Sequence, residues 1–340
     1  MAKSPKRSPN VTMADVAARA GVSRALVSIV LRDVPGAGPA TRQRVMEAAE
    51  ALAYRPDQRA RLLGSNRSRT IGVVFGLHQA FHAELVESLY GAVGTTAYDL
   101  ALGAWAPSRD EHRAVQSLLD YRCEALVLLG PALPRAAIEE LADRVPVVVV
   151  ARALRSTSVD VVRTDDSRGV RIAVEHLADL GHTSITHVDG GRAPGAAERR
   201  RGYRTAMRDL GLDSETEVLV GGLAEHDGEK AAAHILADAR PTAVTAFNDR
   251  CAAGLMAAAR ARGVHVPNDL SVVGYDNSQI ASLDSVALTT VAQDAPTLAA
   301  SALELALARA ERNSDRCPPT EIVVPPRLVV RGTTARPQQP

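Results

Sequence analysis

Short apolar segments alternate with amphipathic helical segments from about residue 70 onward, and this alternation constrains the fold more than any other feature. Apolar strands separated by helices predict parallel sheets with helices on both faces. About 270 residues exceed what one such sheet needs, so we expect two similar lobes whose strand ends face a common cleft. The predicted strands cover 71–75, 100–104, 125–129, 145–150, 184–188, 217–220, 243–246 and 270–273, and the predicted helices include 84–96, 109–121, 136–143, 201–209, 228–237 and 252–262.

Charge is unevenly distributed along the chain. Residues 1–69 contain 13 Lys and Arg against 5 Asp and Glu, whereas the remaining residues contain 27 against 34. The net charge of +1 therefore conceals a basic N-terminal region and an acidic remainder. Such a basic region favours contact with a polyanion, nucleic acid above all, over the alternative of a solvated basic tail.

Composition argues against several other classes of protein. The longest apolar run, 145–153, is interrupted by Pro146 and Arg152 and is shorter than the roughly 20 residues that a bilayer requires. No apolar stretch of the secretory type follows the basic N-terminus. The cysteines are widely scattered, which predicts neither a disulfide framework nor a zinc site; they are Cys123, Cys251 and Cys317. We therefore expect a cytoplasmic protein without a membrane span, metal or cofactor.

The basic region contains the pattern of a helix-turn-helix. Thr12 is followed by an acidic residue and apolar spacing, which predicts a capped first helix that Gly21 terminates. Ser23 is placed to cap a second helix over 24–31. A third helix over 39–53 carries apolar residues at helical spacing and would close the core. Two helices joined by a glycine turn form the unit that places its second helix in a major groove, whereas an ordinary three-helix bundle is the alternative.

The second predicted helix supplies the residues expected to contact DNA. Val27 and Val30 are expected to pack inward. Arg24 and Ala25, at its N-terminal end, would reach base edges, since arginine binds guanine bidentately. The hydroxyl groups would bond phosphates and fix the register; they belong to Thr12, Ser23 and Ser28.

Two stretches carry a resemblance to a known family. The sequence VTMADVAARAGVSRALVSIVLR, followed by TRQRVMEAAEALAYRP, resembles the N-terminal domain of the lactose-repressor (LacI/GalR-type) transcription regulators. Further segments resemble the periplasmic-binding-protein-like core of the same regulators, and the likeness extends from about residue 11 to residue 334. These segments are TIGVVF, VEHLADLGH, FNDRCAAG, DLSVVGYDN, LTTVAQD and LVVRGTT.

The resemblance implies a DNA-binding hinge after the helix-turn-helix. The hinge helix would fold when two subunits meet on an operator, and Leu63 matches the apolar residue that wedges into the minor groove. Arg32 flanks one side of the second predicted helix, and Arg61 in the hinge would hold a backbone phosphate. Together with Tyr54 they complete the predicted DNA-binding residues. Two positions depart from the family pattern. Ile29 stands where an arginine is frequent, so the operator sequence does not transfer from the family. Asp57 stands where an asparagine is usual and adds a negative charge near DNA, where it is placed to cap a helix.

Six residues are candidates for binding a small effector. Arg199, Asn248 and Asp276 each stand at or just beyond a predicted strand end or at the start of a helix. They offer the donors and acceptors that fix a polyhydroxylated ligand, and they match the family's sugar-contacting residues. Asp165 matches a cleft acid of some members. Phe81 and Trp105 follow strands and would stack on a sugar, although buried packing is an equal alternative.

Other features weigh against an ordinary sugar, a metal and an enzyme. Ala151 stands where the family often has aspartate, and Leu223 where some sugar binders have an aromatic residue. His78 and His82 are four residues apart but are expected to flank a loop without acidic or cysteine partners. The sequence holds no dinucleotide or phosphate loop and no recognisable nucleophile–base pair, so a catalytic site is not expected.

These observations predict an α/β chain with an all-α helix-turn-helix head and a two-lobed, doubly wound core. The predicted domains are a disordered basic tail at 1–10, the DNA-binding domain at 11–55, the hinge helix and linker at 56–69, and the core at 70–340, with lobe 1 at 70–162 and 293–322 and lobe 2 at 163–292 and 323–334. We expect a homodimeric repressor that binds double-stranded operator DNA and a sugar-like effector. The alternative is a regulator of the same fold that responds to a protein partner or to no ligand.

Overall fold

The computed structural model describes residues 11–31, 34–54, 67–237, 241–311 and 318–338. The chain divides into two compact units, Met1–Ser68 and Arg69–Pro340. Among the described residues, no helix has both the length and the apolar character needed to cross a membrane.

The described part of the first unit consists of three helices. They are α1 (Met13–Ala20), α2 (Arg24–Leu31) and α3 (Pro39–Ala51). The predicted bounds of the second helix are confirmed, and the third ends two residues before the predicted limit at 53. The buried residues come from all three helices and close a small apolar core; the most buried are Val16, Val27 and Val45.

Local hydrogen bonds explain where α1 and α2 begin and end. The Thr12 hydroxyl accepts a hydrogen bond from the Asp15 backbone N–H at 3.4 Å, and the Asp15 carboxylate accepts one from the Thr12 N–H at 2.7 Å. Gly21 ends α1 at φ +66°, a conformation that glycine adopts without steric cost. The Ser23 hydroxyl then accepts from the Leu26 N–H at 3.2 Å, which starts α2.

The second unit contains two six-stranded sheets, which we call lobe 1 and lobe 2 together with their covering helices. The strands are β1 (Thr70–Gly76), β2 (Asp99–Trp105), β3 (Ala125–Leu129), β4 (Val147–Val150), β5 (Asp160–Thr164), β6 (Ile185–Asp189), β7 (Glu217–Val220), β8 (Ala243–Ala246), β9 (Ser271–Asp276), β10 (Thr289–Ala292), β11 (Glu321–Val324) and β12 (Arg327–Val329). In lobe 1 the strand order is β11-β5-β4-β3-β1-β2, and in lobe 2 it is β12-β10-β9-β8-β6-β7. Neighbouring strands are parallel except for β10 and β12, so the predicted doubly wound α/β class is confirmed.

Helices cover both faces of each sheet. They are α4 (Ala80–Val93), α5 (Glu111–Asp120), α6 (Arg135–Ala142), α7 (Asp166–Asp179), α8 (Ala196–Asp209), α9 (Glu225–Ile235), α10 (Asp249–Ala261), α11 (Gln279–Ser282) and α12 (Ala295–Glu311). In lobe 1, α4 and α12 pack on one face and α5 and α6 on the other. In lobe 2, α9 and α10 pack on one face and α7 and α8 on the other. The near-continuous apolar strands follow from this two-sided burial.

The chain passes between the lobes three times: after β5, after β10, and between β11 and β12. Strands β5 and β11 end at Thr164 and Val324, two residues beyond the predicted lobe boundaries after 162 and 322. The three passages bring the carboxyl ends of the strands in both lobes toward one cleft.

The helix predicted over 84–96 begins earlier than expected. Helix α4 starts at Ala80 because its buried stripe already includes Phe81, which continues at four-residue spacing through Leu85 and Leu89. His82 therefore lies inside a helix, and the expectation that His78 and His82 flank a loop is wrong for His82. Phe81 lies in the first turn of this helix rather than directly after a strand.

Candidate nucleic-acid interface and ligand cleft

The outer face of the helix-turn-helix presents the predicted base-reading residues. Arg24 and Ala25 are exposed in the first turn of α2, whereas Val27 and Val30 face the core, as predicted. Ser28 is half-buried. An exposed arginine at the start of a short helix is able to reach a base edge in a major groove, and the helix N-terminus favours phosphate.

The other predicted DNA-binding residues have local roles. Thr12 caps α1, and its hydroxyl also donates to the Asp15 carboxylate at 2.7 Å. Ser23 caps α2. Tyr54 is half-buried and packs against the core of this unit. Arg32, Arg61 and Leu63 lie outside the described residues, as does most of the predicted hinge at 56–69.

A cavity of about 170 Å³ lies between the lobes at the carboxyl ends of their strands. Lobe 1 contributes an uncharged wall, and lobe 2 contributes the charged side chains. The wall from lobe 1 is formed by Gln79, Phe81, His82, Trp105, Gly130, Ala132 and Ala151; lobe 2 contributes Arg192, Ala193, Pro194, Arg199, Leu223, Phe247, Asn248 and Asp276; Gln293 comes from the passage after β10.

The structure brings five of the six predicted effector residues together around this cavity: Phe81, Trp105, Arg199, Asn248 and Asp276. Asp165 does not line it. Its carboxylate caps α7 by accepting a hydrogen bond from the Arg168 N–H at 3.1 Å, which accounts for an acid directly after a strand.

Five further lining residues with polar or aromatic side chains were not singled out as binding candidates in the sequence: Gln79, His82, Arg192, Phe247 and Gln293. Each follows a strand within a few residues, after β1, β6, β8 or β10. The only feature of the sequence that could have indicated these residues was their position after a strand of a doubly wound sheet, because no motif marks them.

Arg199 is the centre of the charged side of the cleft. It is 5% exposed, and its Nε donates to the Asp166 carboxylate at 2.8 Å. Its Nη1 donates to the Phe247 carbonyl at 2.5 Å, and its guanidinium carbon lies 3.5 Å from the Tyr275 ring centre. Paired charge, hydrogen bonds and ring contact together make burial of this cation tolerable. Arg199 is thus held in one orientation before any ligand arrives.

Asp276 supplies the carboxylate of the cleft. Burial raises its pKa to about 8, although the nearby Arg199 guanidinium, 3.8 Å away, opposes this rise. Asp276 has a backbone φ of +110°, a strained conformation that surrounding contacts must hold. The Gln293 Nε2 donates to its Oδ1 at 2.8 Å, while the Gln293 Oε1 accepts from the Thr164 hydroxyl at 2.7 Å. The relay joins lobe 1, the passage after β10 and lobe 2.

His82 presents a neutral donor from lobe 1. Its Nδ1 accepts a hydrogen bond from the Gly76 N–H at 2.9 Å, which assigns the ring proton to Nε2. Burial lowers the pKa of His82 to about 4, so the ring is uncharged near neutral pH. The Nε2 lies next to Gly130, where an added Cβ would approach it to 2.7 Å, and both residues line the cleft.

Asn248 joins the cleft to the helix behind it. Its Oδ1 accepts from the Cys251 N–H at 2.8 Å and caps α10, while its Nδ2 donates to the Leu223 carbonyl at 3.1 Å. One amide proton is left for a ligand. Among the described residues, no cluster of side chains has the composition of a metal site.

A helix-turn-helix unit and a second unit of two parallel-sheet lobes around a cleft define the architecture of a DNA-binding transcription regulator with a periplasmic-binding-protein-like core. Residues 12–57 match the family model of bacterial regulatory proteins, lacI family, and residues 174–334 match a periplasmic binding protein-like domain. The chain is 34% identical to the HTH-type transcriptional regulator GalR of Salmonella typhimurium (strain SL1344), over 96% of each protein.

Solved structures agree with this assignment. A LacI transcriptional regulator from a Rhodococcus species is 44% identical with a TM-score of 0.77, covering 79% of this chain and all of that one. The lac repressor dimer bound to operator and the anti-inducer ONPF is 27% identical with a TM-score of 0.81, covering 96% of this chain and all of that one. This chain therefore belongs to the LacI family of bacterial transcriptional regulators.

Proposed function

We propose that this regulator is a repressor that binds a pseudo-palindromic operator as a homodimer and is controlled by a small effector in the cleft. The observation that carries the effector role is the cavity lined by both lobes, with Arg199 oriented by Asp166 and Asp276 linked through Gln293 to Thr164. The structural relative bound to operator and anti-inducer supports the same pairing of ligands.

The effector acts by stabilising one relative position of the lobes. A ligand shifts such an equilibrium only by its difference in affinity between the two states. Contacts from both lobes would exist together only when the cleft is closed around the ligand. In the proposed mechanism that closure changes whether two hinge segments fold on DNA.

The DNA-binding residues keep the roles proposed for them. Arg24 and Ala25 contact bases, and the hydroxyls of the first two helices contact phosphates. Arg61 contacts the backbone, Arg32 and Tyr54 belong to the same DNA-binding surface, and Leu63 wedges into the minor groove. A protein with this role works in the cytoplasm, associated with the nucleoid.

Selection of bound duplexes from random DNA, followed by affinity measurements with the full chain, tests this function. We expect one palindromic sequence with a strongly salt-dependent affinity and a complex that contains two chains. Binding of all duplexes with equal affinity, or a complex with four chains, would contradict the proposal. A selected operator whose affinity no small molecule changes would instead favour control by a protein partner.

Two variants separate the DNA contacts. Arg24→Ala is expected to relax base preference at one position of each half-site by about 1–3 kcal/mol. Arg44→Ala, which removes an exposed charge from α3, serves as the control and should leave base preference intact.

Leu63→Ala is expected to weaken specific binding far more than non-specific binding. Equal losses for Leu63→Ala in both modes would exclude the wedge role.

A further inference from the structure

The polar groups around the cleft are unbalanced in favour of hydrogen-bond donors. Two arginines, Arg192 and Arg199, and the Nε2–H of His82 line the cavity. Among the described residues that line it, Asp276 is the only carboxylate. Uncharged sugars present hydroxyls that both donate and accept, and a cleft for them needs acceptors as well as donors. This cleft is better matched to a ligand whose polar groups mainly accept hydrogen bonds.

The accepting capacity of Asp276 is already partly used. Its Oδ1 accepts from Gln293 at 2.8 Å and lies 3.8 Å from the Arg199 Nη2. The Gln293 Oε1 is occupied by the Thr164 hydroxyl, and the Asn248 Oδ1 by the Cys251 N–H. Among the described lining residues, the side-chain oxygens left to accept from a ligand are the second Asp276 oxygen and the Gln79 Oε1, fewer than the donors.

Arg192 is the charge that remains available. It lies in the loop between β6 and α8, is exposed, and lines the cavity. Neighbouring arginines of lobe 2 are paired: Arg199 with Asp166, and Arg200 with Asp189. Within the described part of the chain, Arg192 forms no such pair. An unpaired guanidinium at a cavity is suited to a carboxylate or phosphate, which it binds through two parallel hydrogen bonds.

Part of the cavity lining is apolar and suits the carbon skeleton of a ligand. Phe81 and Trp105 come from lobe 1, and Leu223 and Phe247 from lobe 2. Small residues at Gly130, Ala132 and Ala151 leave room beside them. A ligand would place its carbon skeleton against these apolar side chains and direct its charge toward Arg192.

We propose that the effector is an anionic derivative of a small polyhydroxylated molecule, such as a sugar acid or a sugar phosphate, and that Arg192 selects it. The inference rests on the proposed function in taking the cleft as the effector site. Arg199 and His82 supply fixed donors to the ligand body, and Arg192 pairs with its carboxylate or phosphate at the mouth of the cavity.

Calorimetric titration of the full chain with matched ligand pairs tests the proposal. One pair is galactose and galacturonate, which differ in a carboxylate; the other is glucose and glucose 6-phosphate, which differ in a phosphate. We expect the charged member of at least one pair to bind about tenfold more tightly, and the pair that responds identifies the group. The preference should decrease as salt is raised, because Arg192 is exposed. Tighter binding of the neutral members, or no binding of either anion, overturns the proposal.

A pair of variants assigns the effect to Arg192. Arg192→Gln should reduce affinity for the preferred anion about tenfold and leave the neutral member unchanged. Arg204→Gln removes an exposed charge from α8 in the same lobe, outside the cavity lining, and should change neither affinity. Equal effects of the two variants would mean that general charge, and not Arg192, attracts the anion.

Measuring operator binding alongside ligand binding distinguishes failure of the inference about charge from failure of the proposed function. A chain that prefers the anion but does not discriminate between DNA sequences would contradict the regulatory role and leave the ligand chemistry intact. A chain that binds its operator but prefers neutral sugars would overturn only the inference about charge.

Discussion

Each lobe holds an arginine–aspartate pair whose carboxylate is buried, and the two pairs lie at opposite ends of their sheets. In lobe 1, Arg309 donates from Nε and Nη2 to the two Asp160 oxygens at 2.8 Å, where β5 begins. In lobe 2, Arg199 binds Asp166 at 2.8 Å, beyond the carboxyl ends of the strands. The first pair joins α12 to its sheet far from the cleft, whereas the second shapes the cleft itself. The pair at the start of a strand, Arg309 and Asp160, therefore contributes to the fold alone. The pair beyond the strand ends, Arg199 and Asp166, contributes both to the fold and to the cleft.

Breaking either pair, in two separate variants, gives the largest expected effects on stability. Arg199→Ala leaves the Asp166 carboxylate buried without its partner, which should lower the free energy of unfolding by about 3–5 kcal/mol and also abolish ligand binding. Arg309→Ala should cost about 2–3 kcal/mol, since its side chain is 22% exposed, and leave ligand affinity unchanged. Denaturant unfolding and calorimetric titration measure the two quantities. Loss of ligand binding in Arg309→Ala would remove the distinction between the pairs.

A double variant checks the physical reason. Because the cost in Arg199→Ala comes from an uncompensated charge, Asp166→Leu combined with Arg199→Met should recover much of the lost stability while ligand binding stays absent. If the double variant were less stable than Arg199→Ala, the ion pair itself would be the source of stability.

The packing of helices on the two lobes provides a second comparison. In lobe 2, α9 and α10 approach so closely that a Cβ at Gly228 would lie 1.9 Å from the Cys251 carbonyl oxygen. In lobe 1, Gly91 on α4 has no neighbour within 4 Å of an added Cβ. Gly228→Ala should therefore lower the free energy of unfolding by about 1–3 kcal/mol. Gly91→Ala should raise it by about 0.5–1 kcal/mol. Thermal unfolding of the two variants would show opposite shifts, and shifts of one sign would contradict this account.

Glu84 gives a small effect that depends on pH. It is a half-buried acid of lobe 1 that lies close to the Gln279 backbone and Asp249 of lobe 2. Burial raises its pKa to about 7, while the Gln279 backbone N–H opposes the rise and Asp249 and Glu87 add to it. Between about pH 4.5 and 7 the folded chain then binds more protons at this site than the unfolded chain, so this contribution to stability falls as pH rises. Glu84→Gln should match the parent near pH 4.5 and exceed it by about 1 kcal/mol at pH 8, a modest value because much of the carboxyl group stays in water.

Ser88→Ala is the matched control for this prediction, since Ser88 is half-buried on the same helix and carries no titratable group. The stability of this variant relative to the parent should not depend on pH. If Glu84→Gln gained stability toward acid pH instead, burial would not be the dominant cause.

Local patterns in the sequence were sufficient for the architecture. The bounds of α2 follow from Ser23 as a cap and from Val27 and Val30 facing inward, all of which act within one turn or two. The start of α4 was missed because the glycine and polar residues around 76–79 resemble a loop, whereas tertiary burial of Phe81 extends the helix. Propensity and spacing are weak where long-range packing determines the boundary.

The cleft was predictable only in part, for a different reason. Asn248 and Asp276 stand at or just after strand ends, Arg199 lies at the start of α8, and all three present recognisable chemistry. Asp165 has the same position and chemistry but caps a helix, and only the three-dimensional direction of its side chain distinguishes the two roles. Arg192 and Gln293 belong to a loop and a passage between lobes, and their convergence depends on the relative placement of the two sheets.

The triple passage of the chain between the lobes has a consequence for synthesis on the ribosome. Helix α12 and strand β11 complete lobe 1, and β12 completes lobe 2. Neither lobe is therefore complete until the residues after 294 have been synthesised. When residue 294 has been made, the site for α12 on the first sheet is an uncovered apolar surface. Leu298 and Leu303, both almost fully buried in the finished protein, then cover it. The two lobes must therefore mature together, and a nascent chain arrested before α12 would carry exposed core and be a target for chaperones.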